Sequence, residues 1–187
     1  MKKRGLLSLA LTALLLTACG GGPVGTEPSQ EPEQTGRAEK TELLFTVEGQ
    51  TETVPAALYV GSGYSIYLPE EGWQLEEDSE EDISEACWES TGNDEVKLRV
   101  LRFPGWDLRT AMNWLAAEEN DYVFEDLMGG TWGDSLMGLD DDGDTLCFMG
   151  TESGDVAYLV VWEYPAESAE GFGTRLAQIA DTFELEA

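Results

Sequence analysis

The run Val-Ala-Tyr-Leu-Val-Val-Trp at residues 156–162 constrains the fold of this 187-residue chain more than any other segment. A strand with one face in water alternates apolar and polar side chains, and this run is apolar at every position. It therefore predicts a central strand that is covered on both faces. The simplest cover is one helix on each face of the sheet, and two segments have the spacing that such helices need.

Two amphipathic segments are predicted to be helices. The first begins after Pro104-Gly105, where the Asp107 side chain can cap the free backbone N–H groups. The second follows Pro165, spans residues 166–182 and has acidic residues in its first turns. Apolar residues at helical spacing form one stripe on each segment: Leu108, Ala111, Met112 and Leu115 on the first, and Phe172, Leu176, Ile179 and Phe183 on the second.

The rest of the domain is predicted to be strands joined by short turns. A hairpin is expected first, with Gly49 in its turn, and Gly61 and Gly63 then break the pattern. Short connections favour antiparallel pairing. The predicted fold class is α+β, a mainly antiparallel sheet with a helix on each face and a β-hairpin before it. The predicted strands cover 43–47, 53–60, 64–68, 73–76, 84–90, 96–103, 131–139, 144–150 and 156–164.

This order of elements resembles the PsbP-like α/β/α sandwich. The resemblance rests on Leu68-Pro69-Glu70-Glu71-Gly72-Trp73, where an aromatic strand ends in Pro-x-x-Gly-Trp, and on Thr182-Phe183 at the end of the last helix. It covers about residues 60–187, and the hairpin at 43–60 departs from the simplest version. Members of this fold are mostly binding or assembly modules, so the resemblance implies no reaction and no transferable active site.

The N-terminus resembles a bacterial lipoprotein signal peptide. Three basic residues at 2–4 precede an apolar stretch at 5–16 that is too short to span a bilayer as a stable helix. Leu16-Thr17-Ala18-Cys19 then matches a lipobox. The resemblance implies cleavage between Ala18 and Cys19, a diacylglyceryl group on the Cys19 sulfur into which palmitate is incorporated, and a lipid anchor on the extracytoplasmic face of a cell membrane.

Composition divides the remainder into a tether and one domain. Residues 19–40 are rich in Gly, Pro, Glu, Gln, Ser and Thr, which predicts a lipidated, disordered tether before a single α/β domain at 41–187. Removal of residues 1–18 takes away three of ten basic residues and none of 38 acidic ones, so the net charge changes from −28 to −31. Such a charge disfavours nucleic acids as partners. We expect a monomeric domain and an envelope protein as partner.

The chain contains no histidine, which excludes Ser-His-Asp and Cys-His catalysis and the common imidazole metal sites. Beside Cys19, the chain has Cys87 and Cys147. In an extracytoplasmic protein they are an even pair that a disulfide could join, or two buried free thiols within apolar strands.

Two sets of residues are candidates for ligand binding. Asp140, Asp142 and Asp144 flank Gly143 and suggest either a cation site or a turn between two strands, but the spacing lacks the other ligands of an EF-hand loop. Trp73, Trp106 and Trp132 lie next to Gly or Pro near predicted loops and either bind a ligand or cap the core. Trp114 and Trp162 are expected in the core.

The function that these features favour is a non-catalytic binding or assembly module without a cofactor, tethered to a membrane. The alternative is a carboxylate-dependent cell-envelope hydrolase. Two carboxyl groups about 5 to 9 Å apart in a cleft, one of them desolvated, would favour the hydrolase.

Overall fold

The structure is a computed structural model that describes residues 36–47, 49–76, 83–126 and 134–186. The lipobox at 16–19, most of the predicted tether and Trp132 lie outside the described residues. None of the helices in the described ranges has the length and apolar character that crossing a membrane requires.

The described strands form two antiparallel sheets. The small sheet has the order β1-β2-β3-β11 and the large sheet the order β4-β5-β6-β10-β9-β8-β7. The strands of the small sheet are β1 (Lys40–Val47), β2 (Gln50–Gly61), β3 (Tyr64–Pro69) and β11 (Glu184–Leu185). Those of the large sheet are β4 (Trp73–Glu76), β5 (Ser84–Ser90), β6 (Asn93–Pro104), β7 (Val123–Asp126), β8 (Asp134–Leu139), β9 (Thr145–Ser153) and β10 (Val156–Tyr164). The helices are α1 (Leu108–Glu118) and α2 (Ala169–Ala180), the latter preceded by a 3₁₀ turn at Ala166–Ser168.

Strand β10 lies at the centre of the large sheet, between β6 and β9, as its sequence predicts. Its side chains alternate between two cores because successive residues of a strand point to opposite faces. Val160 and Trp162 belong to the first core, and Leu159 and Val161 to the second. All four are at most 2% exposed, so both faces of this strand are covered.

The two faces of the large sheet are covered differently. Helix α1 covers the second core with Ala111, Met112 and Leu115, the residues on its predicted apolar face. The first core is shared by α2 and the small sheet, which contributes Phe45 and Ile66. The predicted antiparallel pairing and the two helices are therefore present. The prediction of one helix on each face is only partly right. The predicted hairpin joins β3 in a second sheet, and this sheet shares one face of the large sheet with α2.

The first helix begins at its predicted cap, whereas the second is shorter than its predicted range. The Asp107 carboxylate accepts a hydrogen bond from the Thr110 backbone N–H at 2.8 Å, so α1 begins at the predicted cap. The second helix is shorter than predicted because its first residues form the 3₁₀ turn and because it ends at Ala180.

Strand β7 is not predicted from the sequence. It is four residues long and pairs only with β8 among the described strands.

Residues 36–39 pack on the small sheet ahead of its first strand. Arg37 contacts Ser65 and Tyr67 of β3, which point away from the first core because Tyr64 and Ile66 point into it. The packed structure therefore begins before residue 41, inside the segment predicted to be tether.

Candidate functional site

A groove of about 330 Å³ opens beside the C-terminal half of α1. Its walls come from the residue that precedes β5, from β6 and from α1. Helical spacing places Trp114, Leu115 and Glu118 along one side of the helix, and strand alternation places Arg99 and Leu101 on the same face of β6. The lining residues are Ile83, Arg99, Leu101, Trp114, Leu115, Glu118 and Glu119. We call this cavity the α1 groove.

Arg99 is the cation of the α1 groove, and two carboxylates hold it. Its Nη2 atom lies 3.2 Å from a Glu119 carboxylate oxygen and 3.6 Å from one of Glu163, and its side chain is 19% exposed. Burial alone would lower the pKa of Arg99, but Glu163 and Glu119 outweigh it and raise that pKa. Burial also raises the pKa of the Glu163 carboxyl, against the opposing effect of Arg99.

A second ion pair, between Lys97 and Glu89, lies next to Arg99 on the same face of the sheet. Lys97 Nζ lies 2.7 Å from a Glu89 carboxylate oxygen, and this bond lowers the pKa of Glu89. Cys87 pairs with Arg99 in the strand register and therefore shares its face. Burial, and then Glu76, raise the pKa of its thiol to about 12, so this cysteine is a poor nucleophile at neutral pH.

An aromatic cluster borders the groove. Trp114 is half-buried rather than fully in the core as predicted, and its ring lies 6.2 Å from that of Trp106 in an edge-to-face arrangement. Both rings pack on Phe103, at 5.6 and 5.3 Å. The structure thus brings the predicted candidate Trp106 next to the groove. Trp73 lies elsewhere, on β4 against the first core.

The acidic loop between β8 and β9 is held by hydrogen bonds from backbone N–H groups to its aspartate side chains. Asp140 Oδ1 accepts hydrogen bonds from the N–H groups of Asp142 at 3.0 Å and Asp144 at 2.8 Å. Asp144 Oδ1 accepts one from Ala166 at 3.0 Å, and Gly143 adopts a φ of 87°. This geometry matches the predicted turn. Within the described ranges, no group of three or more Cys, Asp or Glu side chains is arranged to hold a metal ion.

The two cysteines of the domain are free and buried. Cys147 belongs to the first core, whereas Cys87 faces the side of Arg99 and the second core. Their strands, β9 and β5, are separated by β10 and β6, a distance of roughly 14 Å at about 4.8 Å per strand. A disulfide requires Cα atoms within about 7 Å, so the structure selects the free-thiol alternative.

The groove residues Arg99 and Glu119, and Glu163 beside them, are not among the candidate site residues that the sequence predicts. A signal was present, because Lys97 and Arg99 interrupt the apolar residues of a strand that lies deep in the sheet. Likewise, Glu163 directly follows the apolar run of β10. A charge at a position that the strand pattern predicts to be buried indicates an ion pair or a site.

Comparison with solved structures relates this fold to PsbP. The solution structure of CyanoP, the cyanobacterial PsbP of Synechocystis sp. PCC 6803, superposes with a TM-score of 0.50 at 10% sequence identity, covering 70% of this chain and 92% of that one. A crystal structure from Bacteroides thetaiotaomicron VPI-5482 has a TM-score of 0.42 and 19% identity, covering 67% of this chain and 46% of that one. No protein-family model and no curated protein matches the chain. The likeness to CyanoP supports a PsbP-like domain and concerns the fold alone.

Proposed function

We propose that this protein is an extracytoplasmic lipoprotein, anchored in a membrane through Cys19, whose PsbP-like domain is a non-catalytic module that binds a partner at the α1 groove. The anchor rests on the sequence Leu16-Thr17-Ala18-Cys19 behind a basic and then apolar leader. The binding role rests on the α1 groove, where apolar, aromatic and charged side chains meet in one cavity.

The arrangement around Arg99 favours binding over hydrolysis. Glu119 and Glu163 are close together and Glu163 is desolvated, which are two features expected of a hydrolase pair. Both carboxylates, however, contact the same guanidinium nitrogen. A glycosidase keeps the space between its carboxyl groups for the scissile bond and a water molecule, and here Arg99 is bound to both groups instead.

The anchor is tested by metabolic labelling with palmitate. Two acyl chains on one residue give stable anchoring, so the wild-type chain should carry label and sediment with membranes. Cys19→Ala should abolish both, whereas Cys87→Ala, the matched control, should keep the label. Label on the Cys19→Ala chain would overturn the proposed anchor.

The non-catalytic role is tested by incubating the full chain with cell-wall glycan and following the release of reducing ends. We expect none above background. Release that both Glu119→Gln and Glu163→Gln abolish would instead establish the hydrolase alternative, because each variant removes one of the two carboxylates that such a mechanism needs.

A further inference from the structure

We propose that the α1 groove takes the cationic side chain, lysine or arginine, of a partner polypeptide. The inference rests on the proposed binding function and adds the chemistry of the occupant. Three properties of the groove carry it: its charge balance, the state of its one cation and the nature of its wall.

The charge balance of the groove is negative. Glu118 and Glu119 both line it, and Arg99 is the single basic residue among the lining side chains. Glu118 is exposed, so its carboxylate is available at the mouth of the groove. The chain as a whole carries a net charge of −28, which adds to the attraction for a cation.

Arg99 is already satisfied by the protein. Its guanidinium contacts Glu119 at 3.2 Å and Glu163 at 3.6 Å, so an anionic ligand would have to displace a carboxylate from it. An anion would also meet Glu118 at the mouth. These contacts disfavour phosphate or carboxylate ligands. The groove is therefore electrostatically complementary to a cationic ligand.

The wall of the groove matches a cation carried on an apolar stem. Ile83, Leu101 and the half-buried indole of Trp114 provide an apolar surface beside the carboxylates. Lysine and arginine bury their methylene stems on such surfaces while the charged end stays near water and acidic groups. The face of a tryptophan ring attracts a cation as well.

The test is a calorimetric titration of the full chain, isolated in mild detergent, with the peptide acetyl-Leu-Lys-Leu-amide. The same peptide with norleucine in place of lysine keeps the stem and removes the charge. We expect the lysine peptide to bind about tenfold more tightly, and to lose that advantage as sodium chloride rises to 0.5 M. Equal affinity of the two peptides would overturn the proposal.

Matched variants place the binding at the groove. Glu118→Gln and Trp114→Leu should each weaken binding of the lysine peptide several-fold, and circular dichroism shows whether each variant remains folded. Glu71→Gln, an exposed carboxylate outside the groove, should leave the affinity unchanged. Equal affinities for Glu118→Gln and the wild type would refute this site.

The two proposals fail separately. Loss of palmitate label tests the anchor and does not depend on any groove residue. A labelled, membrane-bound chain that does not prefer the lysine peptide would overturn the cationic occupant and leave the anchor standing.

Discussion

The guanidinium of Arg37 lies over the ring of Tyr67, with its central carbon 4.4 Å from the ring centroid. The same side chain donates hydrogen bonds to the carbonyl and hydroxyl oxygens of Ser65, at 3.2 and 3.0 Å, and lies 3.6 Å from a Glu184 carboxylate oxygen. Ser65 is fully buried, so Arg37 supplies hydrogen bonds to polar atoms that water does not reach. Arg37, which precedes β1 in the chain, thus contacts both β3 and β11.

Arg37→Ala should therefore destabilise the domain by about 2 kcal/mol, because the variant loses hydrogen bonds to a buried group and a cation–π contact. Urea denaturation measures the change. Arg109→Ala, at an exposed position on α1, is the control and should stay within about 0.5 kcal/mol of the wild type. Equal stabilities of the two variants would mean that Arg37 contributes nothing to the packing.

Ile179 should be among the residues whose truncation destabilises the domain most. Its side chain is 1% exposed in the first core, and Ile179→Ala should cost about 2 to 5 kcal/mol. Thr174→Ala, on the exposed side of α2, should cost little. Gln178→Ala should fall between them, because Gln178 exchanges two hydrogen bonds with the backbone of Thr46 on β1. Thermal melting of the three variants measures this order of destabilisation. A fall in melting temperature for Thr174→Ala as large as that for Ile179→Ala would contradict it.

Cys87 and Cys147 should remain thiols under oxidising conditions. They lie on opposite faces of the large sheet, and burial raises the pKa of each to about 12. Both should resist iodoacetamide at pH 8 in the folded chain and react fully in urea, as mass spectrometry can follow. A species 2 Da lighter, with the two cysteines joined, would contradict the arrangement of strands β5 and β9.

Glu163 should make stability depend on pH in an identifiable direction. Burial raises its pKa, Arg99 and Lys97 oppose the rise, and Glu119 and Glu89 add to it. The contribution of Glu163 to the free energy of unfolding is fully present below the pKa that Glu163 has in the unfolded chain. It is lost as pH rises through the higher pKa that Glu163 has in the folded domain. The stability of Glu163→Gln relative to the wild type should therefore increase from pH 4 to pH 7, as urea denaturation at each pH can measure.

Glu89→Gln gives the opposite sign as a control. Its hydrogen bond to Lys97 lowers the pKa of Glu89, so the Glu89 carboxylate stabilises the folded state at neutral pH and loses this effect as pH falls. Parallel pH profiles for the two variants would show that the environments of Glu163 and Glu89 do not differ as described.

The central strand and helix α1 could be predicted because each is encoded over a few consecutive residues. Seven successive apolar residues indicate burial on both faces, and Asp107 lies where a cap is needed. The second sheet could not be predicted in the same way. The strands of the hairpin alternate like any half-buried pair, and nothing in their sequence says which distant surface covers the apolar face.

The α1 groove shows the same limit. Its walls come from three separate segments, around residues 83, 99–101 and 114–119, so no contiguous sequence motif predicts it. Trp114 follows the apolar pattern of α1 and was expected in the core. It is half-buried instead because it lines the α1 groove, so that part of its side chain faces the open cavity rather than packed side chains.

The position of Arg37 has a consequence for how the domain can be used. The chain enters the domain at residues 36–39 on the outer surface of the small sheet, while the α1 groove opens beyond the opposite face of the large sheet. Both sheets and the first core separate the two. A polypeptide seated in the α1 groove would therefore leave the contacts of Arg37 with β3 and β11 untouched.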